Sequence, residues 1–285
     1  MRYERPGSLE DASAMLAGEA GISRILAGGT DVLVQMKSEI VEPDLIVDLK
    51  HLGGMRSIVA EDGGFRVGAA VSGAQLNEHA DFCALWPGVA EALDLIGSTQ
   101  IQGRATMTGN LCNGSPAADS VPALVAAGAT VRIQGTGGTR DCPVADIPSG
   151  PGKTTLEKGD IVASVFLPAR PERAGDAYLR FIPRTEMDIA VASAAVSLEL
   201  DEAGVISAAR VALGAVAPTV RLVEDAGKAI TGTKLGDDAV AALVAAVEAA
   251  CSPISDKRGT VEFRTKTAGV LARRAARTAY ARAGG

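Results

Sequence analysis

Ile25-Leu26-Ala27-Gly28-Gly29-Thr30-Asp31-Val32 is a short apolar run that stops at a double glycine and restarts as a helix. The glycines let the backbone turn tightly and let a ligand approach the main chain. Beyond the turn, the Thr30 hydroxyl and successive N–H groups read as an anion-binding nest. Upstream, Ser8 caps a helix in which Leu9, Ala12, Met15 and Leu16 share one face, closed by Gly18 and Gly21. Downstream come a short helix, Val32 to Lys37, and a strand, Leu45-Ile46-Val47. The first 50 residues therefore read as helix, strand, glycine loop, short helix, strand.

A second segment repeats the design. Thr106-Met107-Thr108-Gly109-Asn110 leads to Ser115-Pro116-Ala117-Ala118-Asp119, offering hydroxyls, an amide and a helix start opened by Ser115 and Pro116. Two such loops suit a ligand with two phosphates, and each charge-assisted hydrogen bond is worth about 1.5–3 kcal/mol. Asp119 fits a ribose hydroxyl or ring N–H better than a phosphate. No G-x-G-x-x-G occurs, so a Rossmann dinucleotide site is not indicated. Gly150-Pro151-Gly152-Lys153-Thr154 imitates a P-loop ending, but Ile147 stands where the first glycine is required; a lysine in a flexible loop is the better account.

Between these landmarks, short β-runs (65–71, 130–134, 161–167) alternate with helical stretches at 86–96 and after Pro116. Residues 135–160, rich in Gly, Pro, Thr and Asp, read as loop. Pro168 to Gly175 reads as a boundary. After it, 191–200 and 205–216 alternate as an antiparallel hairpin, and 218–229, 237–251 and 260–283 read as Ala-rich helices.

Composition narrows the function. The 285 residues carry a net charge of −6, which argues against a nucleic-acid partner. The N-terminus has charges and a proline where a signal peptide needs an apolar stretch, and no run approaches the roughly 18–20 residues of a membrane span. A cytoplasmic protein is expected. Cys83, Cys112, Cys142 and Cys251 form no CxxC pair, and His51 and His79 are far apart, so no metal site is expected. Redox chemistry here needs an organic cofactor.

Four stretches, in order along almost the whole chain, resemble the FAD-binding medium subunits of the molybdenum hydroxylase (xanthine dehydrogenase and carbon monoxide dehydrogenase) family. The first is Leu26 to Lys37 and the second Thr106 to Asp119. The third is Arg184-Thr185-Glu186-Met187-Asp188-Ile189-Ala190, and the fourth Pro253 to Gly259 followed by Glu262-Phe263-Arg264. The resemblance implies an α+β fold: a two-part FAD-binding domain of the vanillyl-alcohol oxidase/PCMH type, residues 1–170 (subdomains about 1–55 and 56–170), then a C-terminal domain, 171–285, with a small antiparallel sheet and helices.

Carried over by position, Ile25, Leu26, Ala27, Gly28, Gly29, Thr30, Asp31 and Val32 would wrap the pyrophosphate. Thr106, Thr108, Gly109, Asn110 and Asp119 would hold the phosphates and neighbouring parts of FAD. Ile96 would sit against the cofactor and Val162 would line its adenine or flavin side. Arg180 would lie near the isoalloxazine, with Tyr178 and Phe181 either shielding the ring or packing the core. The usual second motif has glycine where this chain has Ala105 and Thr108. A side chain at Thr108 would crowd the pyrophosphate if the backbone there tolerates only glycine; otherwise its hydroxyl would donate a further hydrogen bond.

The implied function is electron transfer. Electrons from a large molybdenum-cofactor subunit would pass through [2Fe-2S] clusters of a small iron–sulfur subunit to the FAD, then to NAD, a quinone or oxygen, in a dimer of heterotrimers. A self-contained flavin oxidoreductase and a flavin-less structural subunit are the alternatives. Arg264, Lys266, Arg273, Arg274, Arg277 and Arg282, on the last helix, read as a solvated face or a partner contact. The organic substrate is left open.

Overall fold

The computed structural model describes residues 1–285. Strands Arg2–Glu4, Leu45–Asp48 and Ser23–Leu26 form a parallel sheet with Leu45–Asp48 in the middle. That central strand is buried at every position, as expected of an apolar run covered on both faces. Helix Leu9–Gly18 makes the crossover, capped where Ser8 Oγ accepts the Asp11 amide at 3.0 Å. Ala12, Leu16, Leu45, Val47 and Leu49 pack into a small core shared with Ala69, Ile161 and Ala163.

Next comes an antiparallel sheet in the order Ile58–Glu61, Gly64–Gly68, Ile161–Leu167, Thr130–Gly135, Gly138–Pro143. Between its second strand and Thr130–Gly135, the chain runs through six short helices: Gly73–Asn77, Ala80–Leu85, Pro87–Asp94, Thr99–Gln102, Met107–Cys112 and Ser120–Ala126. The last of these is buried along its whole length. Phe65, Phe82, Trp86, Leu111 and Leu124 anchor this core, to which Tyr178, Ala195 and Ala212 of a third sheet contribute.

That sheet is antiparallel: Ala174–Phe181, Ala192–Leu200, Ile206–Gly214 and Arg221–Leu222. Its hairpin pairs Val196 with Val211 and Leu198 with Ala209. Helices Glu224–Ile230, Asp237–Ala250 and Val261–Arg282 cover it. Only nine residues of the chain are aromatic, and alanine fills the space by close approach. Ala268, Ala272, Ala275, Ala276 and Ala279 are fully buried on the last helix, and a Cβ on Gly175 would lie 2.0 Å from the Ala279 carbonyl oxygen. No helix is long and apolar enough to cross a membrane.

Several expectations are corrected. The stretch 135–160 is not mainly loop: it holds strand Gly138–Pro143, a 3-10 turn and the ribbon Pro148–Gly150/Lys153–Thr154. Edge strands pair by backbone, so Gly, Thr and Asp serve where no apolar alternation is required. The helix expected from 218 starts at Glu224, because Arg221–Leu222 pairs with Ala212 and Leu213 as an edge strand. Strand Ala174–Phe181 occupies part of the expected boundary. Ser115 and Pro116 open a turn, with the Ala118 amide donating to the Ser115 carbonyl, and the helix begins at Ser120.

The last helix carries a solvated basic face, with Lys266, Arg274, Arg277 and Arg282 exposed, but Arg264 is not part of it. Arg264 is buried, donating to the Val191 carbonyl at 2.8 Å and to Asp256 at 2.7 Å. Lys266 meets Glu248 at 2.8 Å, and Arg282 pairs with Glu91.

Candidate functional site

The two glycine-bearing segments face each other across a cavity of about 560 Å³, within the usual range for a cofactor site. In the first, Gly29 adopts φ +81°, a left-handed value that favours glycine, and the turn passes into helix Val32–Lys37. Gly28 answers a different constraint. A Cβ there would sit 2.3 Å from the Arg104 carbonyl oxygen, so only glycine lets the first turn approach the chain leading into the second.

In the second segment, the Thr106 hydroxyl accepts the Gly109 amide at 3.0 Å and caps helix Met107–Cys112. The Gly73 amide donates to the Ala105 carbonyl at 2.8 Å, so this segment zips onto the chain leaving strand Gly64–Gly68. Thr108 sits inside the helix without a positive φ, so the backbone conformation that would demand glycine is absent. Its hydroxyl donates to the Ala69 carbonyl at 2.7 Å, inside the protein. Asn110 Oδ1 accepts both the amide (3.1 Å) and the hydroxyl (2.7 Å) of Ser120, fixing the turn to the buried helix behind it. Gln35 Nε2 donates to Asn113 Oδ1 at 3.2 Å and joins the two segments directly.

A third wall was not anticipated. Gly152, Thr154, Glu157, Lys158, Gly159 and Asp160 line the cavity, together with Arg24. Gly152 donates its amide to the Gly114 carbonyl at 2.9 Å, so the apparent P-loop remnant is a ribbon docked on the second segment. Asp160 accepts from Arg140 at 3.0 Å and from the Glu157 amide at 2.8 Å, and the Arg140 hydrogen bond holds its carboxyl below the usual range. The sequence signal was present in Gly159, which takes φ +97°.

Thirteen of the sixteen expected residues meet around this one cavity: Ile25, Ala27, Gly28, Gly29, Thr30, Asp31, Val32, Ile96, Thr106, Thr108, Gly109, Asn110 and Val162. Leu26, Asp119 and Arg180 are not on its wall. Leu26 packs beneath the turn, its Cδ1 2.9 Å from where a Gly29 Cβ would be. Asp119 and Arg180 form a buried ion pair of 2.6 Å, and the Tyr178 hydroxyl donates to the same carboxylate at 2.9 Å. Burial pushes the Asp119 carboxyl up to about 6, against the pull of Arg180. Tyr178 is a core residue, and Phe181 stands edge-on to Phe263 at 5.6 Å.

On the wall itself, the surrounding protein raises the Asp31 carboxyl although the residue is exposed, and Cys112, also exposed, is a free thiol. The wall combines hydroxyls, glycine-turn amides and cations (Arg24, Lys158) with carboxylates (Asp31, Glu157). That donor and acceptor set suits a ligand with both phosphates and hydroxylated or heterocyclic parts.

The third and fourth signatures converge elsewhere. Asp188 meets Arg184 at 3.2 Å and Arg258 at 3.5 Å. The Met187 amide donates to the carbonyl of Gly97, beside Ile96 on the cavity wall.

Comparison with known proteins agrees over the whole length. Residues 1–170 match the family model described as the FAD binding domain in molybdopterin dehydrogenase, and 177–279 the CO dehydrogenase flavoprotein C-terminal domain. The chain is 35% identical to the carbon monoxide dehydrogenase medium chain of Afipia carboxidovorans, covering 99% of this chain and 97% of that one. It is 33% identical to a putative xanthine dehydrogenase FAD-binding subunit of Escherichia coli, with the same coverage. Among solved structures, reconstituted CO dehydrogenase from Oligotropha carboxidovorans matches with a TM-score of 0.94 at 35% identity, over 99% of this chain and 98% of that one.

Proposed function

Because the chain belongs to the family of FAD-binding medium subunits of molybdenum hydroxylases, we propose that it holds FAD in the cavity between its two glycine segments and relays electrons there. In this reading the electrons come from iron–sulfur clusters of a small partner subunit. They originate at a molybdenum cofactor on a large one and leave to NAD, a quinone or oxygen. The observation that carries the reading is the convergence of Gly28, Gly29, Thr30, Thr106, Gly109 and Asn110 on one cavity.

FAD supplies a ring that takes up electrons singly or in pairs. The chain's own residues bind and orient it. The turn at 28–30 presents amides and the Thr30 hydroxyl to the two phosphates and the turn at 106–110 its amides, Glu157 offers acceptors to ribose or base, and Ile96 and Val162 give apolar contact. The two-part architecture of the PCMH type, divided from the C-terminal domain near residue 170, belongs to the same proposal, as does assembly into a dimer of heterotrimers.

Relatives named for carbon monoxide, xanthine, nicotine and glyceraldehyde share this chain's length and pattern. One shared design beside different substrates supports placing substrate choice on the large subunit. The Thr108–Ala69 bond and the helical backbone at Thr108 count against a flavin-less subunit.

The test is anaerobic reduction of the complex assembled with its partner chains. Organic substrate is expected to bleach the flavin bands of the complex and leave those of the isolated chain unchanged. Bleaching of the isolated chain by substrate would instead establish a self-contained oxidoreductase.

A further inference from the structure

Thr108 is buried, and its only hydroxyl proton goes to the Ala69 carbonyl, 39 positions earlier in the chain, at 2.7 Å. Both residues stand on the cavity wall. Ala69 is itself fixed, since its amide donates to the Ala163 carbonyl at 2.9 Å across the sheet. On the other side, the Thr108 oxygen lies 3.3 Å from Thr106 Oγ1, which in turn accepts the Gly109 amide at 3.0 Å. The hydroxyl therefore couples the turn at 106–110 to a strand-end anchored in the sheet. We infer that Thr108 is a positioning residue: it holds the 106–110 turn in its binding geometry through the Ala69 carbonyl, and so slows the release of FAD without donating a proton to it.

The reasoning is one of preorganisation. A turn that must be ordered when its ligand arrives loses affinity by the ordering cost, and a tether that orders it beforehand avoids that loss. Other tethers, Gly73 to Ala105 and Asn110 to Ser120, hold the two ends of the segment. Thr108 is the side chain that holds its middle. A net hydrogen bond corresponds to roughly a three- to tenfold change in an equilibrium.

The inference rests on FAD occupying this cavity. It is tested with the full complex by following the rise in flavin fluorescence as FAD leaves after dilution. Thr108→Val removes the hydroxyl at nearly constant volume, Thr108→Ala removes it with less steric demand, and Thr108→Ser keeps it. Release about three- to tenfold faster in the Val and Ala variants, with Ser close to wild type, is the expected result.

A merely structural role would lower the unfolding temperature of the deflavinated Val and Ala proteins while leaving FAD release from the folded complex unchanged, and that pattern overturns the inference. So does a Ser variant that releases FAD as fast as Ala. If Val does not fold, Ala and Ser decide alone. A wild-type complex that neither contains nor takes up FAD fails differently, sinking the site assignment and the inference with it.

Discussion

The Arg180 guanidinium lies 2.6 Å from the Asp119 carboxylate in a contact that is nearly closed to solvent and joins the last residue of the second glycine segment to strand Ala174–Phe181. Breaking such a pair by removing one partner strands the other charge. Arg180→Met should therefore destabilise the protein at pH 7 by about 3 kcal/mol, because Asp119 stays buried without its counter-ion. Urea unfolding measures this, and a change near zero would show that water reaches Asp119.

The same carboxyl sets a pH dependence. Its folded pKa of about 6 lies above the ordinary carboxylate value, so the folded chain binds this proton more readily than the unfolded one. Its ionisation costs stability in full above pH 6, and that cost fades as the pH falls toward about 4. Relative to Asp119→Asn, wild-type stability should thus decline by on the order of 2 kcal/mol between pH 4 and 6. A rise over that window would mean that Arg180 outweighs burial and holds the pKa low.

Gly28 is constrained by the Arg104 carbonyl, 2.3 Å from a would-be Cβ. Gly28→Val must push the two segments apart and should weaken FAD binding at least about tenfold, equivalent to roughly 1.4 kcal/mol. Gly53, with nothing within 4 Å and no positive φ, should accept alanine without effect. Titration of the deflavinated proteins with FAD compares them.

Arg264 and Arg274 lie on one helix and differ in kind. Arg264→Leu should cost about 1–3 kcal/mol, since it leaves the Val191 carbonyl without its buried donor and frees the exposed Asp256. Arg274→Ala, on the exposed side, should change stability by less than about 0.5 kcal/mol. Equal effects at the two positions would contradict the burial described.

How legible this was in the sequence depended on the kind of signal. The run Ile25 to Leu26, the double glycine and helix Val32–Lys37 were readable because each has a local cause: apolar run, turn chemistry, helix restart. Strand Arg2–Glu4 was not, since three residues show no period and pair only because Leu45–Asp48 offers a free edge. The third cavity wall was missed for a similar reason. Gly152 and Glu157 to Asp160 come from a stretch without periodicity, and only docking on Gly114 and Arg140 brings them to the site.

Arg264 shows the converse error. Its charge suggested solvent, and nothing local announced the Val191 and Ala215 carbonyls that wait for it from distant segments. Asp119 and Arg180 were singled out by resemblance, yet their partnership with each other, 61 positions apart, is a tertiary fact.

The central claim is that the cavity between the two glycine segments carries FAD, and the absorption spectrum of the purified chain tests it most directly. The account predicts flavin bands at near-equimolar cofactor, bleached by dithionite, and restored after deflavination by adding FAD. A colourless chain that excess FAD cannot reconstitute would contradict it.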